Sequence, residues 1–261
     1  MRPVIGVIFV TIMINMYAQE YKLPPKTDKQ QVCSIESIKK KYEKNLFNLE
    51  HLFFPARNPK RLYIVFNGAP KNRYMMWSWF YDDERWTDTS FLFLKDDTTS
   101  WYIGEDGSLV KSYINLINHY MKLSRLTHKQ LFTIGSSMGG YAALLYGIML
   151  EVNGVFSFRP QIDYANAASF FLVEKLRHHW IDLNNLVKKY KNLPKMYLQC
   201  GMFENDKAAM NTFIDTLKNH STVIIFHKTT ETTHMGFTPS KDFIKKTLKF
   251  LESINTNGIV H

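Results

Sequence analysis

The chain has 261 residues, 45% of them apolar and 15% aromatic, enough to bury one large core. With 33 Lys and Arg against 23 Asp and Glu it carries a formal charge of +10 and a pI near 9.4, which favours anionic partners. No RNA-binding signature accompanies that charge, so nucleic acid is excluded, and an acidic polysaccharide or a membrane surface accounts for it better. The lysine runs 39–41, 188–189 and 245–246 read most simply as solvated helix faces.

At the N-terminus, Arg2 precedes a mostly apolar stretch from Val4 to Met16 that ends at Ala18-Gln19-Glu20. This resembles a secretory signal over 1–18, although Met16 is large for its place before a scission point; a buried first strand is the other reading. The stretch is too short for a membrane span, so no integral span is expected. With a signal the protein is exported, and without one it is cytoplasmic. Residues 19–60, polar and Pro/Lys-rich with one helix around Ser34 to Leu49, read as an N-terminal extension, and 61–261 as a single domain. Cys33 and Cys200 allow at most one disulfide; Cys200 ends a strand-like run and reads as a buried thiol.

From Arg61 onward short apolar runs alternate with helical spacing. Arg61–Phe66 is a β-rich run halted by Asn67-Gly68-Ala69-Pro70, and Ser90–Leu94 is stopped by Lys95-Asp96-Asp97. Leu109, Tyr113, Ile114, Leu116, Ile117 and Tyr120 fall at helical intervals. Leu131–Ile134 is a strand and an Ala/Leu-rich helix follows it. Val155–Phe158, Lys195–Cys200 and Thr222–Phe226 are further strands, with a largely helical insert over 164–191. A closing helix capped by Ser240 carries Ile244, Leu248, Leu251 and Ile254. Strands alternating with helices predict an α/β fold with a mostly parallel sheet covered on both faces and ligands at the strand C-termini.

Between one strand and its helix stands Gly135-Ser136-Ser137-Met138-Gly139, a G-x-S-x-G in the strand–turn–helix context of a nucleophile elbow. Glycines are needed there because side chains two residues either side of Ser137 would collide in so sharp a turn. The elbow also puts the Met138 N–H, at a helix N-terminus, where an oxyanion would form. Ala69 N–H, with Gly68 next, is the candidate second donor, since Pro70 has none. Past two later strands come Asp206 and His234. A serine needs a base to take its proton, imidazole titrates near neutrality, and a buried carboxylate orients that imidazole. Glu204 and Asp163 compete with Asp206 for the acid role. His178 and His179, on a Lys/Arg-rich stretch, read as solvated. No His/Cys/Asp spacing resembles a metal site, so no metal is expected.

Beyond Pro70 the chain is aromatic, with Tyr74, Trp77, Trp79, Phe80, Tyr81 and Trp86, and this suits a sugar-binding surface or a hydrophobic cap equally. Tyr74, Trp77 and Trp79 are the candidate substrate contacts. Arg159, at a strand end, is a candidate for holding a carboxylate or phosphate, or for a loop salt bridge.

The Gly135–Gly140 string, Pro160-Gln161, Cys200-Gly201 leading to Asp206, and the late His234 together resemble the α/β-hydrolase superfamily, in the chain order Ser, Asp, His. More narrowly, they are similar to bacterial polysaccharide O-acetyltransferases of capsule biosynthesis built on that fold. The resemblance covers roughly Leu62 to the C-terminus. It implies that Ser137 carries an acyl group, taken from an ester substrate in an esterase or from acetyl-CoA in a transferase, with no other cofactor. The expected partner is an acylated or anionic glycan, or a small ester. A possible export signal argues against the transferase, since acetyl-CoA is cytoplasmic. A non-catalytic hydrolase-like module of an assembly complex is the third reading.

Overall fold

In the computed structural model, residues 34–69, 74, 76–80, 87–168, 174–220, 222, 224–230, 232–234 and 240–254 are described. The expected signal at 1–18, Cys33 and the aromatic residues Tyr81 and Trp86 lie outside them. An eight-stranded sheet forms the centre, in the order β1-β2-β4-β3-β5-β6-β7-β8. The strands are β1 (Glu43–Leu46), β2 (Leu49–Phe54), β3 (Arg61–Phe66), β4 (Thr89–Leu94), β5 (Leu131–Ser136), β6 (Gly154–Phe158), β7 (Lys195–Cys200) and β8 (Ile224–Lys228). From β4 to β8 every pairing is parallel, while β1 with β2 and β2 with β4 are antiparallel.

Alternation along each strand feeds two cores. Leu62, Ile64 and Phe66 of β3 join one layer, and Tyr63 and Val65 join the other. The first layer receives α3 (Leu109–Leu123), α4 (Met138–Met149), α6 (Leu183–Val187) and α7 (Glu204–Leu217). The second receives α1 (Ile35–Tyr42), α2 (Trp77–Phe80) and α8 (Lys241–Ser253), the last capped by the Ser240 side chain accepting from the Phe243 N–H. Helix α4 lies against both β5 and β6 and is buried from Met138 to Ile148, which is why its sequence is apolar all round.

Four expectations are corrected. The sheet begins at Glu43 and not at Arg61, because β1 and β2 come from the stretch read as an extension. Leu49, Leu52 and Phe54 are buried there, so that stretch belongs to the domain. The helix read over 34–49 stops at Tyr42, since Phe47 (φ 57°) and Asn48 (φ 61°) make a tight left-handed hairpin turn between β1 and β2. The insert over 164–191 contains only short pieces among its described residues: α5 (Tyr164–Ala168), a 3-10 turn at Glu174–Leu176, and α6. Strand β8 starts two residues later than read, at Ile224. Among the described residues, no helix is long and apolar enough to cross a membrane.

Candidate active site

Ser137 sits between β5 and α4 at φ 56° and ψ −123°, a backbone state that a residue with a Cβ adopts only under strain. The surrounding glycines follow from packing. A Cβ on Gly135 would lie 1.9 Å from the Gly139 carbonyl oxygen, and one on Gly139 would lie 2.4 Å from that of Phe66. Their absence lets the first turn of α4 close against the ends of β3 and β6. The Ser137 N–H donates to the Phe158 carbonyl at 2.9 Å, which ties the elbow to the neighbouring strand.

The Ser137 hydroxyl lies 2.8 Å from His234 Nε2, and His234 Nδ1 lies 2.6 Å from Asp206 Oδ2. A carboxylate only accepts, so Nδ1 carries the proton and Nε2 is left to accept from the serine. Asp206 lies in the first turn of α7, just past β7, and His234 follows β8; both are buried. Of the rival acids, Glu204 is exposed. Asp163 caps α5, its Oδ1 accepting the Asn166 N–H at 2.7 Å.

Two more residues complete the arrangement: Asn166, which sequence reading did not place here, and Arg159, which it placed in another role. Asn166 donates Nδ2–H to Asp206 Oδ1 at 3.0 Å, so both carboxylate oxygens are held. Arg159, read as holding a carboxylate or phosphate or as a loop salt bridge, is buried and donates from Nη1 to the His234 backbone carbonyl. Its φ of 45° ends β6 in a left-handed turn, and its own N–H donates to the Gln199 carbonyl at 2.7 Å, which aims the side chain at the loop bearing His234.

Met138 opens α4, where first-turn amides have no intrahelical acceptor. Gly68 and Ala69 follow directly on Asn67, whose carbonyl would lie 2.7 Å from a Cβ on Gly139, so that loop lies against the same turn. The Asn67 carbonyl accepts from the Tyr102 hydroxyl at 2.8 Å, while its buried side-chain Nδ2 has no acceptor among the described residues.

The aromatic expectation shifts. Tyr74 is buried and donates its hydroxyl to Glu43 at 2.7 Å, with Lys39 and Lys95 over its ring; burial and that carboxylate hold its phenol well above its usual range. It is therefore part of the core and not a substrate contact. Trp77 packs against the layer containing α1 and α8, and the Trp79 side chain is outside the described set. The rings near the elbow come from elsewhere. Trp180 packs on Tyr141, one turn along α4 from Ser137, with ring centroids 4.7 Å apart, and on Trp101 at 6.0 Å. Trp101 donates Nε1–H to Gln161 at 3.0 Å. Trp101 (φ 54°) and Tyr102 (φ 62°) are held in strained conformations by Asp96, whose carboxylate accepts from the backbone of Thr98, Ser100 and Tyr102. The signal in the sequence was the Asp96-x-Thr98-x-Ser100 spacing, an Asx-type turn. His178 and His179 are exposed. Among the described residues no group of His, Cys, Asp or Glu is gathered to hold a metal ion.

No family model matches the chain, and no curated protein matches it in sequence. Solved structures do resemble it. A fluorophosphonate-binding serine hydrolase of Staphylococcus aureus superposes with a TM-score of 0.61 at 14% identity, covering 79% of this chain and 93% of that one. The capsule O-acetyltransferase of Neisseria meningitidis serogroup A gives 0.61 at 16% identity, covering 81% and 92%. A variant of that acetyltransferase was solved with CoA. A ferulic acid esterase gives 0.57 at 12% identity, covering 80% and 96%. At such identities the likeness is one of architecture, and the architecture of this chain is the α/β-hydrolase fold.

Proposed function

We propose that the protein is a serine-nucleophile acyl-transfer enzyme, an esterase or deacylase acting on a carboxylic ester, with an acylated carbohydrate as the leading substrate class. The observation that carries this reading is the continuous hydrogen-bonded line from the Ser137 hydroxyl through His234 to Asp206 on a strained elbow. His234 takes the serine proton as Oγ attacks the acyl carbonyl carbon, and Asp206 stabilises the imidazolium that results. The tetrahedral oxyanion forms beside the Met138 N–H and an N–H of the Gly68-Ala69 loop. His234 then protonates the departing alkoxide, leaving the acyl group on Ser137. Water deprotonated by His234 attacks that ester, releases the acid and restores the serine.

An acetyl-CoA-dependent O-acetyltransferase is the second reading, favoured by the likeness to the meningococcal capsule enzyme. There acetyl-CoA loads Ser137 and a sugar hydroxyl takes the place of water. One experiment separates the readings. One sample of the protein is treated with a fluorophosphonate probe, and an untreated sample is assayed for p-nitrophenyl acetate hydrolysis and for thiol release from acetyl-CoA with and without a polysaccharide acceptor. Labelling on Ser137 with acceptor-independent hydrolysis is expected, both vanishing in Ser137→Ala. Acceptor-dependent thiol release selects the transferase. Labelling that persists in Ser137→Ala overturns the assignment of Ser137 as nucleophile, and no labelling with no turnover of either donor overturns the enzyme reading in favour of a non-catalytic module.

A further inference from the structure

Four strands away from Ser137, about 19 Å at ~4.8 Å per strand, the sheet ends in the β1–β2 hairpin. There the hairpin, the end of α1 and the last turns of α3 enclose a groove of about 400 Å³ with Leu46, Phe53 and Tyr120 among its walls. Lys41, Lys44 and Leu123 form part of its rim. Phe47 stands beside it, its ring 6.4 Å from that of the rim residue His119. Four large apolar side chains are substantially exposed among the described residues. Two of them, Leu123 at 61% and Phe47 at 42%, are at this groove. Exposed Lys40, Lys41, Lys44, Lys122 and Arg125 lie on the same elements or just past them. The nearby acids are engaged: Glu50 pairs with Lys95, and Glu43 with Tyr74 and Lys39.

We infer that this groove is a docking face for an anionic phospholipid surface. Lysines alone would suit any polyanion, but exposed Leu and Phe tips at the same level gain nothing from a soluble acidic glycan. Placed among acyl chains they are removed from water while the ammonium groups meet lipid phosphates. The excess of positive charge over the whole chain draws it towards such a surface. The first described residue, Ser34, is one eight-residue helix, about 12 Å, from the groove residue Tyr42.

The test uses the full chain in flotation with vesicles of phosphatidylcholine alone or with about 30% phosphatidylglycerol, at low and high salt. Binding only to the anionic vesicles, weakened by salt, is expected. Lys41→Gln with Lys44→Gln should weaken it roughly 30-fold, and Leu123→Ser roughly 10-fold. Both changes are at exposed positions, and circular dichroism checks that the fold is kept. Three results would overturn the inference. Failure to bind anionic vesicles is one. Binding that all these variants share with wild type is another, since the anchor then lies elsewhere in the chain. The third is heparin binding stronger than vesicle binding and indifferent to Leu123→Ser, which would make the face a polyanion site.

Discussion

Replacing Arg159 with Met should slow catalysis without weakening the binding of a small ester. Methionine keeps the Cβ, so the strain at φ 45° is unchanged, and it fills much of the same volume. What disappears is the charged donor to the buried His234 carbonyl. A hydrogen bond from a charged group contributes about 1.5–3 kcal/mol. If that sum is lost from the positioning of His234, at ~1.36 kcal/mol per tenfold, kcat falls by about 10- to 100-fold. KM for p-nitrophenyl acetate should hold, because the side chain is buried and its Nη1 donates to the His234 carbonyl. Melting temperature is a poor witness, since removing a buried guanidinium also relieves its desolvation. The assay is steady-state hydrolysis on Arg159→Met, with Arg159→Ala tested in parallel for recovery of kcat by added methylguanidinium. A second readout is the far-downfield NMR proton between His234 Nδ1 and Asp206, expected to broaden in Arg159→Ala and sharpen on rescue. A kcat within twofold of wild type would refute the reasoning. So would a raised KM at constant kcat, which would return Arg159 to the anion-binding role read from the sequence.

Other expectations follow from the same structure. Asn166→Ala frees one oxygen of Asp206 and should cost about tenfold in kcat, less than the ~10⁴-fold expected for Asp206→Asn; equal losses from both would contradict the supporting role. Burial pushes the Cys200 thiol up to about 12. In a Cys33→Ser background, iodoacetamide at about pH 8 should therefore alkylate it only after denaturation, and rapid native labelling would show that the thiol is reachable. Burial lowers the His51 pKa, with Nδ1–H donated to the Leu49 carbonyl and Nε2 accepting from Tyr120. Below about pH 6.5 the unfolded chain takes up a proton that the folded ring resists, so this contribution to stability is present above that pH and lost as pH falls. Urea midpoints for wild type should drop more steeply below ~6.5 than those of His51→Gln, and parallel curves would refute it.

Much of this molecule could be read before its structure. Parallel strands buried on both faces leave unbroken apolar runs, so Arg61–Phe66 and Leu131–Ile134 stood out, the latter within the observed strand Leu131–Ser136. Ser137, Asp206 and His234 were legible because each lies just past a strand, where the fold gathers its loops. The hairpin over 43–54 was not. Its edge strand reads Glu-Lys-Asn-Leu, and its turn is Phe-Asn, not Asn-Gly. Asn166, and the contact that Arg159 makes, escaped for a different reason: their partners lie 40 and 75 residues away in the chain, and no local pattern encodes such a contact. Composition marked the aromatic residues but could not tell Tyr74, locked between two lysines, from Trp101, which meets Gln161.

The segment between β6 and β7 divides into parts with different freedom to change. Its first helix, α5, carries Asn166, so any alteration over 163–168 reaches Asp206 directly. The later residues 174–190 are anchored by Leu176, Leu183, Leu186 and Val187 in the core, by Trp180 against Tyr141, and by the Tyr141 hydroxyl, which donates to the Ile181 carbonyl at 2.7 Å. A graft there must keep those apolar anchors, the ring at Trp180 and the carbonyl at Ile181, which leaves the exposed positions 174, 175 and 177–179 free to vary. Change in this segment is therefore cheapest at those exposed positions and costliest over 163–168.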